Sequence, residues 1–194
     1  MKLYLIRHGQ SLANLNQTHA GWGQVELTDL GKEQARHIGQ FLRTVPFDQV
    51  YSSDLIRAIQ TQECALPGVA AQRSPLIREV NVGTLSGRPV ADCVAEYGQA
   101  YRDNKKNWNF SPYGGEDHQQ FHARIREFLA QMEASSFENV AAFCHGGWIQ
   151  HALDVITGKE QDKRFFPCDN CSVTILEYTN SGWMIKLWNF TGEL

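Results

Sequence analysis

Three short apolar segments limit what this chain can fold into. Lys2–Arg7, Phe47–Tyr51 and Val140–Cys144 each run into polar residues and then into a stretch of helical periodicity. Each reads as a short buried strand feeding a helix. After the first, Thr28 has the look of an N-cap, and Leu30, Ile38, Phe41, Leu42 and Val45 recur at helical spacing until Pro46. After the second, Ser52 or Ser53 is expected to cap a helix carrying Leu55, Ile56 and Ile59. The third is followed by Gly146 and Gly147, a helix with Ile149, Leu153 and Ile156, and a stop at Gly158. A further helix from about Glu116 carries Phe121, Ile125, Phe128, Leu129 and Met132 on one face. Ser172–Tyr178 and Trp183–Phe190 flank Thr179-Asn180-Ser181-Gly182 and read as a closing hairpin. Alternating strands and helices predict a three-layer α/β/α sandwich with a mostly parallel central sheet. With 194 residues, 42% of them hydrophobic, one domain over 1–194 is expected. The stretch around 80–115, rich in Gly and Pro, reads as an insertion or lid, with one or two helices about Val90 to Lys106.

The charge balance narrows the partners. Net charge is −3 and no long Lys/Arg run occurs, so no nucleic-acid partner is expected. The apolar run at the N-terminus is too short for a signal core or a membrane span. A cytoplasmic protein with no membrane partner is the expectation. Five cysteines, an odd number, argue against a disulfide framework. Cys168-Asp169-Asn170-Cys171 has CxxC spacing, but an apolar strand follows it and no second pair exists for zinc. Free thiols are the preferred reading.

In open α/β sheets, ligands sit at the carboxyl ends of strands. The first strand ends in Arg7-His8-Gly9, the second leads to Arg57, and the third ends in His145-Gly146-Gly147. Two histidines and two arginines thus project to one sheet edge. Arginine forks match phosphate oxygens and offset the charge of a transferring phosphoryl group. A neutral imidazole is a nucleophile near pH 7, and neighbouring positive charge keeps it unprotonated. Gly9 would let the backbone come close to a phosphate. A carboxylic acid must protonate the leaving oxygen, and Glu79 is the candidate.

These stretches resemble the histidine phosphatase (phosphoglycerate mutase-like) superfamily. The matching residues are Leu5-Ile6-Arg7-His8-Gly9-Gln10-Ser11 with Asn14, and Leu27-Thr28 with Gly31 and Gln34-Ala35. Tyr51-Ser52-Ser53-Asp54-Leu55 with Arg57 and Thr61 follow, then Leu76-Ile77-Arg78-Glu79 with Gly83 and Gly87. Gly114-Gly115-Glu116 and Cys144-His145-Gly146-Gly147 complete the ordered set. The resemblance implies that His8 attacks phosphorus, that Arg7, Arg57 and His145 hold the phosphoryl oxygens, and that Glu79 acts as acid and then base. It places Asn14 near the phosphate and substrate, and Gly9 and Gly146 are further candidates to bind substrate. It implies no cofactor and no metal.

Three activities are weighed: a phosphatase acting on a small phosphorylated metabolite such as a sugar phosphate or nucleoside-like phosphate, a cofactor-dependent phosphoglycerate mutase, and a non-catalytic phosphometabolite-binding protein. Mutases of the family carry Arg-His-Tyr-Gly after the acid, whereas Val80-Asn81-Val82-Gly83 stands here. They also carry a Lys shortly after the residue corresponding to Gly87, where Arg88 is the nearest substitute. The phosphatase is therefore preferred. Arg102, Lys105 and Lys106 are candidates to bind a second anionic group, as in sugar-bisphosphate phosphatases, and Trp108, Phe110 and Tyr113 to line a substrate mouth or fill a core. The sequence leaves monomer and homodimer both open. Asn14 has a second reading as a turn cap, Arg57 as a surface helix residue, and His145 as a buried structural residue. His118 and His122, four apart on one helix, have metal-ligand spacing but no evident third ligand, so a solvated helix face is expected.

Overall fold

The computed structural model describes residues 1–159 and 166–192. Six strands form one sheet: β1 (Lys2–Arg7), β2 (Gln49–Ser52), β3 (Gln72–Arg73), β4 (Asn139–Cys144), β5 (Val173–Thr179) and β6 (Gly182–Phe190). Their order is β3-β2-β4-β1-β5-β6. The first four strands are parallel, and β5 and β6 add an antiparallel hairpin beside β1. The helices are α1 (Leu12–Leu15), α2 (Asp29–Leu42), α3 (Ile56–Ala65), α4 (Val90–Lys106), α5 (His118–Glu133) and α6 (Gly146–Thr157).

Period-2 alternation in the strands separates two cores. Leu3 and Leu5 of β1, with Val140 and Ala142 of β4, face Phe121, Ile125 and Phe128 of α5 and Ile149 of α6. Tyr4 and Ile6, with Ala141 and Phe143, face Ala35, Ile38 and Leu42 of α2 and Ala65 of α3. The result is the expected three-layer sandwich. Burying a Phe or Leu side chain of this kind contributes about 1.5–3 kcal/mol.

Several local expectations hold. Thr28 caps α2, its Oγ1 accepting the Gly31 N–H at 3.0 Å. Gly158, left-handed at φ 67°, ends α6. The helix expected at Val90 to Lys106 is α4, which turns through Gly98 at φ 57°. Others need correction. The helix expected after Thr28, α2, stops at Leu42 with Arg43 as its C-cap, ahead of Val45, which Pro46 disfavours in helical geometry. The second strand starts at Gln49, and Phe47 instead packs edge-on against Tyr4. Neither Ser52 nor Ser53 caps α3, whose N-cap is Leu55. The Ser53 hydroxyl lies 2.9 Å from His145 Nε2 and accepts the Leu55 N–H.

Candidate active site

Strand register assembles the site. In the parallel β1–β4 ladder Arg7 pairs with Cys144, and in β2–β4 Ser52 pairs with Phe143. The residues just beyond these pairs, His8, Ser53 and His145, therefore emerge side by side. The His8 and His145 rings lie 5.3 Å apart between centroids. His8 opens onto a cavity of about 1160 Å³ whose wall also includes Arg7, Arg57, Glu79, Gly146 and Gly147, while His145 lies fully buried behind it and is not part of the wall.

His8 is held in one tautomer. Its Nδ1 lies 2.7 Å from the Gly9 carbonyl oxygen, which only accepts, so Nδ1 carries the proton. Nε2 keeps its lone pair and makes no hydrogen bond among the described residues. The His8 carbonyl is itself fixed by Asn170 Nδ2 at 3.0 Å and the Cys171 N–H at 3.3 Å. Burial, and then the Arg57 and Arg7 guanidiniums, push the His8 pKa well below the usual histidine value. His145 is wholly buried and shifted the same way, by burial first and then by Arg57 and His8.

Arg57 is fully buried at the start of α3, which rules out the surface-helix reading. Its Nη1 and Nη2 donate to the Gly23 and Gly21 carbonyls at 3.1 and 2.8 Å. Burial lowers its pKa to about 10, so it stays charged at neutral pH. Arg7 Nη1 donates to the Cys168 carbonyl. Arg7 Nε, Arg57 Nε and His145 Nδ1 are buried with no hydrogen-bond partner among the described residues. The two arginine Nε atoms can only donate, and two such donors beside His8 suit an acceptor-rich group, since buried polar atoms are normally satisfied. A phosphoryl group has the oxygens to satisfy them.

Glu79 is the carboxylate on the cavity wall. Its oxygens accept the Val80 N–H at 3.0 Å and the Gly147 N–H at 3.1 Å. A Cβ at Gly147 would run into Glu79 Oε1, so that glycine lets the acid lie against the start of α6. The Glu79 carbonyl is anchored by Trp22 Nε1 at 2.7 Å and Arg124 Nη2 at 3.2 Å. The nearby carboxylates are committed elsewhere: Glu116 to Arg124 at 2.7 Å and Asp54 to Arg78 at 2.6 Å.

Other candidates divide. Asn14 lines the cavity and also completes a capping box with Ser11, so both of its readings hold. Gly146 lies on the wall, where its missing Cβ leaves room for Arg7 Nε. Gly9 is not part of the cavity wall; a Cβ there would strike the Gly31 carbonyl, so its missing side chain serves the contact with α2. Arg102, Lys105 and Lys106 of α4 all reach the wall, as do Trp108 and Phe110. Arg88 does not, being paired with Glu96 and with Tyr97 Oη at 3.0 Å. Tyr113 is buried core. The solvated-face reading of His118 and His122 fails, because His122 is only 6% exposed and lies 2.8 Å from His151 of α6.

Two features escaped the sequence reading. His19 lines the cavity with Nε2 2.6 Å from Tyr101 Oη, and burial followed by Lys105 lowers its pKa to about 4. The Cys168–Cys171 turn buttresses Arg7 and His8. The five thiols are free, and burial raises Cys168 to about 11 and Cys171 to about 12.

The buried histidines predict a pH-dependent stability. In the unfolded chain His8 and His145 take up protons below about pH 6.5. In the folded chain both resist protonation, so the unfolded state binds more protons as pH falls. Stability should therefore decline below about pH 6.5, by up to about 1.4 kcal/mol per pH unit for each histidine, until the folded pKa is reached. Urea melts across acidic pH test this, and His145→Asn should reduce the slope by one histidine's share.

An imidazole with an open Nε2 lone pair beside Arg7 and the buried Arg57, at the carboxyl edge of a parallel sheet, is suited to receive a phosphoryl group. A model of the histidine phosphatase superfamily (branch 1) matches residues 3–191, and the chain belongs to that family. An adenosylcobalamin/alpha-ribazole phosphatase of Salmonella typhimurium is 32% identical over 151 residues, covering 76% of this chain and 75% of the relative. A 2,3-bisphosphoglycerate-dependent phosphoglycerate mutase of Methylorubrum populi is 31% identical over 167 residues, covering 80% and 79%. The crystal structure of the alpha-ribazole phosphatase from Shigella flexneri superposes with a TM-score of 0.89 at 26% identity, covering 98% of this chain and 97% of the other. Members of this family are phosphatases and mutases acting on small phosphorylated substrates. Among the described residues no helix is long and apolar enough to cross a membrane.

Proposed function

We propose that this chain is a phosphomonoesterase that hydrolyses a small phosphorylated metabolite through a phosphohistidine on His8, with no metal in the chemical step. The observation carrying the proposal is the Nδ1–H bond to the Gly9 carbonyl, which leaves the Nε2 lone pair beside Arg7 and Arg57. In the first step Nε2 bonds to phosphorus as the bond to the leaving oxygen breaks, and Glu79 gives that oxygen its proton. Arg7, Arg57 and His145 hold the equatorial oxygens, and Asn14 and Gly146 flank them. The Gly9 carbonyl stabilises the positive charge the imidazole acquires. In the second step Glu79 takes a proton from water, the water oxygen bonds to phosphorus, and the bond to Nε2 breaks.

Hydrolysis is favoured over mutase chemistry by the wall beside Glu79. Val80 and Val82 line it and are 3% exposed, where a mutase of the family would place basic and phenolic groups. Arg88, the nearest substitute for the mutase lysine, points into its own ion pair away from the cavity. A panel of phosphorylated metabolites, with phosphoglycerate mutase activity measured on the same preparation, tests the reading. Phosphate release should dominate. Faster phosphoryl transfer between phosphoglycerates would overturn it.

The basic side of α4 suits a substrate with a second anionic group. Converting Arg102, Lys105 and Lys106 to Gln together should raise KM for such a substrate about tenfold or more, the worth of one charge-assisted hydrogen bond. KM for p-nitrophenyl phosphate, with a single phosphate, should change little. Equal effects on both substrates would mean that the three residues are only a solvated face.

A further inference from the structure

Behind the Trp108 part of the cavity wall, α5 and α6 bring four potential metal ligands together: His118 and His122, four apart on α5, and His151 and Asp154, three apart on α6. Their ligand atoms all lie within 4.8 Å of one another. Both spacings place the pair on one helix face, and the two faces meet. His122, His151 and Asp154 are buried. We propose that these four residues form a site for one divalent transition-metal ion, zinc by its ligand set, that ties α5 to α6.

The distances match such an ion. Tetrahedral bonds of about 2.0–2.1 Å to nitrogen put neighbouring ligand atoms about 3.4 Å apart. His122 Nε2, His151 Nδ1 and Asp154 Oδ2 form a triangle with sides of 2.8, 3.3 and 3.7 Å. That triangle is one face of a tetrahedron slightly too small and ready to open around an ion. His118 supplies the fourth corner, and its ring lies 3.8 Å from that of His122. Its Nε2 is buried and makes no hydrogen bond among the described residues.

Three imidazoles and one carboxylate suit zinc, whereas magnesium and calcium prefer all-oxygen sets.

The site adjoins the cavity without entering it. Trp108 packs on His151 with centroids 4.3 Å apart and also lines the cavity. A bound ion would thus brace the wall that carries Trp108, and the chemistry at His8 would not pass through it.

The test uses the full chain after chelator dialysis, titrated with Co2+ and then Zn2+. One Co2+ per chain should bind with the intense visible absorption of tetrahedral cobalt, and Zn2+ should displace it and raise the Tm. Co2+ should quench tryptophan fluorescence, and less so in Trp108→Phe. His118→Ala and Asp154→Asn, folded by circular dichroism, should each weaken binding by more than the about 10–100-fold typical of losing an outer partner. His8→Ala should bind as the wild type does. Absence of tetrahedral absorption, affinity unchanged in both ligand variants, or binding lost in His8→Ala would each overturn the proposal.

Discussion

Glu79→Gln slows hydrolysis of a sugar phosphate or glycerol phosphate by about 10²–10⁴-fold, the usual worth of general acid catalysis, while p-nitrophenyl phosphate loses far less. An alkyl oxygen leaves poorly as an alkoxide and needs a proton in the transition state, whereas nitrophenolate leaves without one. The structure sharpens this contrast. Glu79 makes no ion pair among the described residues, and its oxygens accept backbone N–H groups of Val80 and Gly147. Glu79→Gln should therefore leave Arg7 and Arg57 in place, since both are held by backbone carbonyls. Steady-state kinetics on the two substrates check the prediction. Equal losses on both would make Glu79 an organiser of the phosphate site. Glu116 and Asp54 are already paired with Arg124 and Arg78 and are poor replacements.

The second large effect concerns His8. His8→Ala should abolish turnover of every substrate, including p-nitrophenyl phosphate, because the nucleophile is common to all. Phosphate binding should survive, since Arg7, Arg57 and His145 remain. Equilibrium binding of inorganic phosphate or vanadate to the variant, beside its kinetics, separates loss of chemistry from loss of the pocket. Turnover at the wild-type rate would remove His8 from the mechanism, and a wild type that binds phosphate without turnover would leave the non-catalytic binding protein.

Much of this arrangement is legible in sequence because the chemistry lies where strands end. Arg7-His8 and His145 follow apolar runs that pack on both faces, and such runs announce themselves. Register then does the rest, since Arg7 pairs with Cys144. Elements below the length of a periodic signal were not legible. The two-residue β3 and the four-residue α1 show no periodicity. The purpose of individual glycines was also hidden. Gly9 and Gly147 are explained by what their absent side chains would strike, the Gly31 carbonyl and Glu79, and both contacts are remote in sequence. The same holds for His118 and His122. Their spacing is visible on α5, but burial and the facing His151 and Asp154 come from a helix that begins beyond an entire strand. Arg57 shows how a charged residue can be read as exposed from its helix position and yet be fully buried by backbone carbonyls of a loop more than thirty residues away.

The central claim is a covalent bond between His8 and phosphorus. Rapid-quench mixing of the enzyme with a labelled phosphomonoester, followed by alkaline peptide mapping, tests it most directly. The account predicts an acid-labile, alkali-stable phosphoryl group on the peptide containing His8. It should form at least as fast as turnover and be absent from His8→Ala. A label on another residue, or product released with no phosphoenzyme formed at a competent rate, would contradict it.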